Sequence, residues 1–256
     1  MTQNIKLVVS YDGSDFYGFQ RQPDSPTIQG LLENVISHTL GDSSPVTGAS
    51  RTDAGVHAVG QTVNFFASES VPVEKIPSIL NRALPVSVRV QSAEKVSSQF
   101  NARWSALSKT YHYDFAIGKI SSPFWGRFAH ELPVTLQIEK MKEAAALFVG
   151  EQDFLSFSAN NGEEKGNCQR NVTEAQIVSL TERGQHWFRF QVTANGFLYK
   201  MVRMMMGTLI EVGLSRLTAG EISEQLRNPQ ESKTFRLVAP AHGLFLEQVR
   251  YAGVTQ

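Results

Sequence analysis

The chain has 256 residues, of which 41% are hydrophobic and 19% charged, and its 24 basic and 24 acidic residues leave no net charge. This composition predicts a packed core and excludes a protein that holds nucleic acid through bulk charge alone; no apolar run reaches the roughly 18 residues of a membrane span. A single cysteine, Cys168, excludes an internal disulfide, and without a signal-peptide core near the N-terminus we expect a cytoplasmic protein.

The first half of the chain predicts alternating strands and helices. Residues 5–11 predict a strand, and Ser25-Pro26 predicts the start of a helix that Gly41 ends. The elements that follow are a short strand near 45–47, a strand over 61–66, a helix over 77–84 and a strand over 86–90. This order, β-α-β-β-α-β, is the split βαβ plan of ferredoxin-like domains.

The second half predicts a similar order of elements. A strand carries Tyr111 and Tyr113, Thr135 predicts the cap of a helix ending at Gly150, and Thr218-x-x-Glu221 predicts a capping box. The remaining elements are strands near 172–180, 187–194 and 244–250 and a long helix over 198–212. The chain is therefore predicted to form two halves, 1–105 and 106–256, in an α+β fold. The two halves are predicted to share one mixed, mostly antiparallel sheet with helices on one face.

The sequence GASRTDAGVHA at 48–58 precedes the strand over 61–66. Asp and Gly favour turns, and a loop beside a strand presents a side chain on a rigid support. Arg51 lies two residues from Asp53, and a nearby cation keeps a carboxylate ionised. The segment therefore predicts an exposed, ionised Asp53, with an ordinary turn residue as the alternative.

The long helix predicted over 198–212 carries Arg203 within an almost wholly apolar stretch. A buried guanidinium needs a carboxylate or a phosphate, because an unpaired buried charge costs several kcal/mol. Glu211 is one candidate partner, but it lies more than two helical turns away. Asp53 is the preferred partner, since a neighbouring guanidinium would lower the pKa of its carboxyl by roughly 1–3 units and keep it charged as a nucleophile or base.

Four segments resemble, in order, sequence blocks of the TruA family of tRNA pseudouridine synthases. The segment around Asp53 resembles the signature G-R-T-D-A-G-V-H-A, in which the Asp is the essential catalytic residue. Segments 11–22, 100–113 and 196–203 are similar to the other three blocks, so the resemblance covers nearly the whole chain. Ser50 stands where the family has Gly, and we expect activity to survive because Ser fits most loop conformations unless φ is positive.

This resemblance implies the pseudouridine synthase fold, with a cleft at the junction of the two halves acting as one catalytic unit. It implies isomerisation of uridine to pseudouridine at positions 38, 39 and 40 in the anticodon stem-loop of tRNA, with Asp53 and Arg203 as catalytic residues. It also implies a homodimer. The chemistry demands no cofactor, and no metal-ligand spacing occurs in the sequence. Segment 160–170 matches nothing and has no assigned role.

The resemblance also implies residues that bind the substrate. Tyr111 would stack on the target base, worth about 1–3 kcal/mol, whereas Tyr113 would pack in the core. Arg51 would fill the gap left by a flipped base or hold a phosphate, and anchoring of its own loop is an equal alternative. Arg103 and Lys109 are candidates for phosphate contacts, with ordinary surface charges as the alternative.

Two other functions fit parts of the sequence. A non-catalytic RNA-binding module is the first alternative, because ferredoxin-like halves also serve as RRM platforms, although no RNP1-like sequence occurs. A hydrolase with Asp53 as nucleophile is the second, although no paired metal-binding carboxylates lie near it. The sequence does not determine the first step that Asp53 performs. The alternatives are attack on the sugar, addition to the ring and removal of a ribose proton.

Overall fold

The computed structural model describes residues 2–41, 45–69, 71–118, 123, 125–132, 134–159, 167–182, 184–229 and 237–253. The chain divides into two compact units. The first consists of Met1–Leu107 and Phe245–Gln256, and the second of Ser108–Leu244. No helix in the described ranges is long and apolar enough to cross a membrane.

The first unit has the element order predicted from its sequence. Its elements are β1 (Thr2–Tyr11), α1 (Ile28–Leu40), β2 (Thr47–Gly48), β3 (His57–Ser68), α2 (Ile76–Ala83) and β4 (Val88–Val96). Strand β1 lies between β3 and β4, and it pairs antiparallel with both. Strand β2 pairs antiparallel with β3, so the segment between them forms a loop that leads into the first residue of β3.

The last strand of the chain, β10 (Leu244–Tyr251), also joins this unit. It pairs with β3 in parallel, with Phe245 opposite His57 and Leu246 opposite Ala58. The predicted halves divide the chain at 105 and 106 by sequence order. The observed units divide at residues 107 and 108, and residues from 245 onward belong to the first unit, where β10 pairs with β3.

Helix α1 begins later than its sequence predicts. Ser25 forms an isolated bridge with Gln22, and the carbonyl of Pro26 accepts a hydrogen bond from a backbone N–H, so both residues belong to the preceding turn. Thr27 is the N-cap, and its hydroxyl accepts a hydrogen bond from the Gly30 N–H at 3.3 Å. The predicted end is confirmed, since Gly41 has φ 74° and its N–H closes the helix.

The two faces of β1 differ in chemistry. Ile5, Leu7 and Val9 alternate on one face and are completely buried, as a strand with a period of two requires. Asn4, just before Ile5, lies on the other face, where its amide oxygen accepts a hydrogen bond from Asn64 of β3 at 3.0 Å. The unit therefore has an apolar core on one side of its sheet and buried hydrogen bonds on the other.

The second unit contains the remaining elements. They are β5 (Ala106–Ile117), β6 (His130–Leu132), α3 (Ile138–Ala146), β7 (Gly150–Asp153), β8 (Gln169–Glu182), β9 (Gln185–Ala194), α4 (Met201–Gly213) and α5 (Ala219–Arg227). Strand β9 pairs antiparallel with β5 and β8, β8 pairs antiparallel with β7, and β6 runs parallel to β5. The first two residues of β5 belong to the first unit.

Three predicted boundaries in this unit meet different outcomes. Thr135 is not the cap of α3, because Gln137 occupies the N-cap and makes no side-chain capping bond. Gly150 does not end that helix either, since it opens β7 with φ 118°. The capping box of α5 is confirmed, with Thr218 and Glu221 bonded reciprocally.

The predicted α+β class and the mostly antiparallel strand pairing are confirmed. The sharing of one sheet by the halves, the helices on one face and the cleft at the junction stay predictions. Of the segment 160–170, residues 160–166 lie outside the described ranges, and β8 begins at Gln169.

Candidate active site

Asp53 lies on a tight turn within the loop over residues 49–56, called the Asp53 loop below. Its carbonyl accepts a hydrogen bond from the Val56 N–H at 3.1 Å, which closes a four-residue turn. Gly55, the third residue of the turn, has φ 76°, as a type II turn requires. The predicted turn is confirmed, and the Asp53 side chain lies half-buried at its start.

The N-terminal segment 12–19 packs directly against the backbone of this loop. The Phe19 N–H donates to the Thr52 carbonyl at 3.0 Å. Gly18 has φ 90°, and a Cβ there would come within 2.7 Å of the same carbonyl. A Cβ on Gly13 would overlap the Val56 carbonyl. The loop therefore owes its position to two glycines that let one backbone approach another.

Buried polar side chains fix the other side of the Asp53 loop. The Tyr11 hydroxyl and the Thr52 hydroxyl lie 2.8 Å apart, and the Gln61 amide donates to the Tyr11 oxygen at 3.3 Å. Burial raises the pKa of Tyr11 to about 12, so its hydroxyl is protonated at neutral pH. Through these hydrogen bonds, Tyr11 and Gln61 hold Thr52, the residue that precedes Asp53.

Ser50 fits the loop in place of the family's glycine. Its N–H donates to the Gln61 amide oxygen at 3.2 Å, and its carbonyl accepts from the Gln61 amide nitrogen at 2.8 Å. Ser50 is not among the residues with positive φ. The condition for tolerating serine at this position is therefore met.

His57 closes the base of the loop. Its Nδ1 accepts a hydrogen bond from the Gly13 N–H at 3.0 Å, and its ring stacks on Phe245 with 4.7 Å between centroids. An accepting Nδ1 carries no proton, so the 3.2 Å approach of Asp12 Oδ1 to the same atom is not an ion pair in this tautomer. His57 thus links segment 12–19 to strand β3 and acts as a structural residue.

Arg51 and Arg103 lie on different loops of the first unit, and the charge of Arg51 acts on Arg103. Burial lowers the pKa of Arg103, and the positive charge of Arg51 lowers it further. Arg51 is exposed and Arg103 is half-buried. Neither guanidinium has a carboxylate within ion-pair distance in the described part of the chain. Two neighbouring cations without such a partner form a place where a phosphate would bind favourably.

The second unit carries Tyr111, Tyr113 and Lys109 on strand β5. Tyr113 is completely buried, and its hydroxyl donates to the Pro240 carbonyl at 2.9 Å, so its predicted packing role is confirmed. Tyr111 is 6% exposed, and its ring meets the Phe197 ring edge to face at 5.1 Å between centroids. Lys109 is half-buried near the start of the strand. The substrate roles of Tyr111 and Lys109 stay predictions.

Helix α4 is buried on nearly all faces, as its sequence predicts, and Arg203 lies in its first turn. The Arg203 Nε donates to the Ala239 carbonyl at 2.8 Å, and the Ala239 N–H donates to the Arg203 carbonyl at 3.0 Å. Glu211, the alternative partner considered from the sequence, lies 3.6 Å from the Arg216 guanidinium. One partner of the Arg203 guanidinium is therefore a backbone carbonyl, which was not among the partners predicted from the sequence.

The structure thus groups the predicted site residues by unit. Asp53, Arg51 and Arg103 lie in the first unit, and Tyr111, Lys109 and Arg203 lie in the second. The pairing of Asp53 with Arg203 stays a prediction. The described residues contain no group of three or more side chains arranged to hold a metal ion.

Sequence reasoning missed the residues that support Asp53. Gly13 and Gly18 lie in segment 11–22, and neither they nor Tyr11, Thr52 and Gln61 had an assigned role. The spacing of the two glycines after a strand that ends in a buried tyrosine was the available signal. It indicates a backbone that another backbone must approach closely.

Comparisons with known proteins agree over most of the chain. A family model described as tRNA pseudouridine synthase matches residues 7–105 and, separately, 144–252. A protein named tRNA pseudouridine synthase A from Methylacidiphilum infernorum (isolate V4) is 41% identical over 246 residues, covering 96% of this chain and 94% of that protein. Proteins of the same name from a Bacillus licheniformis strain and from Thermoanaerobacter sp. (strain X514) are 40% and 36% identical, covering 96% and 97% of this chain and 98% and 100% of their own lengths.

Proposed function

Because the chain belongs to the tRNA pseudouridine synthase family, we propose that it isomerises uridine at positions 38, 39 and 40 of tRNA and that Asp53 is its catalytic residue. The observation that carries this proposal is the construction of the Asp53 loop. Close backbone packing and a buried network hold one half-buried carboxylate on a turn beside an exposed guanidinium.

The net reaction sets what the residues must do. The bond between uracil N1 and ribose C1′ breaks, a bond between C5 and C1′ forms, C5 loses its proton and N1 gains one. No electrons are gained or lost, so the reaction needs an ionised group and a held base rather than a redox partner. A carboxylate supplies that group, whether it attacks the sugar, adds to the ring or removes a ribose proton.

The remaining site residues receive roles from their chemistry. Arg203 would supply a positive charge that stabilises the negative charge of the Asp53 carboxylate. The hydrogen bond to Ala239 fixes the Nε edge of the guanidinium and so limits its orientation. Tyr111 would stack on the flipped uracil, and Arg51, Arg103 and Lys109 would contact phosphates.

The proposal extends to the state of the enzyme in the cell. We propose a cytoplasmic homodimer that binds one tRNA across both subunits. Sedimentation of the purified protein, alone and with unmodified tRNA, measures both stoichiometries. A monomer that binds and modifies tRNA at full rate would contradict the dimer.

Release of tritium from tRNA labelled at uracil C5 tests the catalytic residue. We expect the wild-type protein to release tritium, and Asp53→Asn to bind tRNA without release, because the amide is neither a nucleophile nor a base. Asp24→Asn is the matched control: Asp24 is exposed, and its φ of 54° suits asparagine. Wild-type binding without release would favour the RNA-binding module instead.

Transcripts that retain a single target uridine test the positions. Three tRNAs, each with uridine at only one of positions 38, 39 and 40, should each release tritium. A transcript in which none of these three positions is uridine should release no tritium. Full release from that last transcript would show that the enzyme modifies other positions.

A further inference from the structure

Trp104 is a large aromatic side chain that the site described above leaves unused. It is 76% exposed, although burying a tryptophan usually contributes more than burying any other side chain. The guanidinium carbon of Arg103 lies 4.7 Å from the centroid of its ring, in a cation–π contact. The indole therefore contacts one guanidinium while most of its surface faces solvent.

The turn that carries this pair, residues 100–105 and called the Arg103 turn below, is built rigidly. The Asn101 side-chain oxygen accepts hydrogen bonds from the Arg103 N–H at 2.9 Å and from the Trp104 N–H at 3.1 Å. The Ser105 hydroxyl accepts from the Asn101 N–H at 3.1 Å. These bonds fix the backbone on both sides of the indole, so little entropy remains to be lost when something binds to it.

The base of the same turn is tied to the sheet. Ala102 is completely buried, its N–H donates to the Asn64 side-chain oxygen at 2.8 Å, and its carbonyl accepts from the Tyr251 hydroxyl at 2.7 Å. The Phe100 ring packs against Tyr251 with 5.0 Å between centroids. The inward residues anchor the turn, and consequently Arg103 and Trp104 are the residues it presents outward.

The charge around the indole favours an anionic partner. The guanidinium of Arg103 lies over the ring, and the positive charge of Arg51 lowers the pKa of Arg103, so two positive charges act on this surface. In the described part of the chain no carboxylate neutralises either of them. An aromatic plane beside two cations matches a nucleotide, whose base stacks on the plane while its phosphate meets the cations.

We propose that Trp104, backed by Arg103, is a stacking platform for an unpaired nucleobase of the bound tRNA other than the target uridine. This inference rests on the proposed function for the nature of the ligand. Trp104 is a binding residue and takes no part in bond changes.

Binding measurements on three variants test the platform. Trp104→Ala should weaken the binding of unmodified tRNA about 5- to 140-fold, which corresponds to the stacking of one base. Trp104→Phe should retain most of the affinity because it keeps a ring. Val86→Ala is the control, since Val86 is 87% exposed in the same unit and should bind as wild type does.

The salt dependence separates stacking from charge. Trp104→Ala should leave the slope of log affinity against log salt unchanged, because stacking releases no counterions. Arg103→Gln should reduce that slope by about one, because one phosphate contact is lost. A change of slope in Trp104→Ala would mean that the indole acts only by positioning Arg103, which would overturn the stacking role.

Tryptophan fluorescence gives a direct readout. The chain has three tryptophans, and the other two, Trp125 and Trp187, pack against each other with 5.0 Å between centroids. Saturating tRNA should quench the wild-type emission, and Trp104→Phe should lose this quenching while it still binds tRNA. Equal quenching in both proteins would overturn the proposal.

The remaining outcomes separate this inference from the proposed function. The wild type could release tritium while Trp104→Ala binds tRNA and releases tritium as well as the wild type does. That result would refute the stacking platform and leave the proposed function standing. If the wild type neither binds tRNA nor releases tritium, both proposals fall. If Trp104→Ala converts a dimer to a monomer in sedimentation, the indole belongs to a subunit interface and the platform is wrong. Thermal melting confirms that each variant is folded.

Discussion

The Asp53 loop and the Arg103 turn of the first unit are held in place by different means. The Asp53 loop is positioned by the close approach of backbones at Gly13 and Gly18, with a Cβ at Gly18 only 2.7 Å from a carbonyl oxygen. The Arg103 turn is positioned by hydrogen bonds from side chains, chiefly the amides of Asn64 and Asn101. Close backbone packing is thus found at the Asp53 loop, which side-chain hydrogen bonds also support, whereas the Arg103 turn depends mainly on side-chain hydrogen bonds.

This difference predicts how each loop responds to substitution. A Cβ at a glycine that touches backbone leaves no room for local adjustment, so a whole segment must move. A lost side-chain hydrogen bond leaves one unsatisfied group and costs about 1–3 kcal/mol without a steric clash. A single substitution at a contacting glycine should therefore displace the whole Asp53 loop. Each lost hydrogen bond should instead lower the stability of the Arg103 turn by a separate amount.

Gly13→Ala should have the largest effect. The new methyl group would overlap the Val56 carbonyl, so the Asp53 turn would shift. We expect about 1–3 kcal/mol of lost stability, as for overpacked sites, and a fall in kcat of about 100-fold, since misplacing a catalytic group by 1 Å can cost this much. Urea denaturation and tritium release at saturating tRNA measure the two quantities.

Gly41→Ala separates steric overlap from backbone strain. Gly41 has φ 74°, but nothing lies within 4 Å of its would-be Cβ. Its replacement should cost about 1–2 kcal/mol through strain alone and leave kcat unchanged. If both variants lose the same stability and the same activity, close packing is not what positions the Asp53 loop.

Local patterns in the sequence were sufficient for most elements of the fold. The end of α1 at Gly41 and the capping box at Thr218 depend on residues within one helical turn, and both predictions are confirmed. Strands β6 and β7 were not predicted, because three and four residues are too few to show a period of two. The start of α1 was placed too early because Ser25 and Pro26 suit a turn as well as a helix start.

The candidate site was predictable where chemistry is local and not where packing is distant. Asp53 and its turn follow from a short motif. The contact of Gly13 with Val56 joins residues far apart in sequence, and no local pattern encodes it. Arg203 shows the same limit, because the carbonyl that it binds belongs to Ala239, 36 residues further along the chain.

Asn64→Ala should show the intermediate effect expected of the Arg103 turn. Its loss leaves the buried Ala102 N–H without an acceptor and removes the donor to Asn4. We expect a loss of about 1–3 kcal/mol in the free energy of unfolding. Weaker tRNA binding should accompany it through the disordered support of Trp104, while kcat at saturating tRNA should change little.

Asn34→Ala is the control for the loss of an amide. Asn34 is exposed within helix α1, where alanine has the higher helix propensity, so stability should stay level or rise slightly. A similar loss of stability in both variants would show that the buried amide has no special role. If kcat fell as much in Asn64→Ala as in Gly13→Ala, the Asp53 loop and the Arg103 turn would not differ in their response to substitution.

Tyr11→Phe tests the polar side of the Asp53 loop and should have the smallest effect at neutral pH. It removes the hydrogen bonds to Thr52 and Gln61, at about 1 kcal/mol. The folded protein raises the pKa of Tyr11 from 10.0 to about 12, so between these values the folded state holds a proton that the unfolded state has lost. The contribution of Tyr11 to stability is therefore complete below pH 10 and falls by about 2–3 kcal/mol as the pH rises through 12.

The two proteins should consequently exchange rank in alkaline solution. The wild type should be the more stable below pH 10, and Tyr11→Phe, which has no proton to lose, should become the more stable before pH 12. Urea midpoints measured at intervals across this range locate the crossing. Burial also raises the pKa of Tyr113 and Tyr251, but these residues are present in both proteins and cancel in the difference. Parallel stability curves across the whole range would mean that Tyr11 ionises as freely in the folded protein as in the unfolded chain, and the hydroxyl would not be part of a closed network under the Asp53 loop.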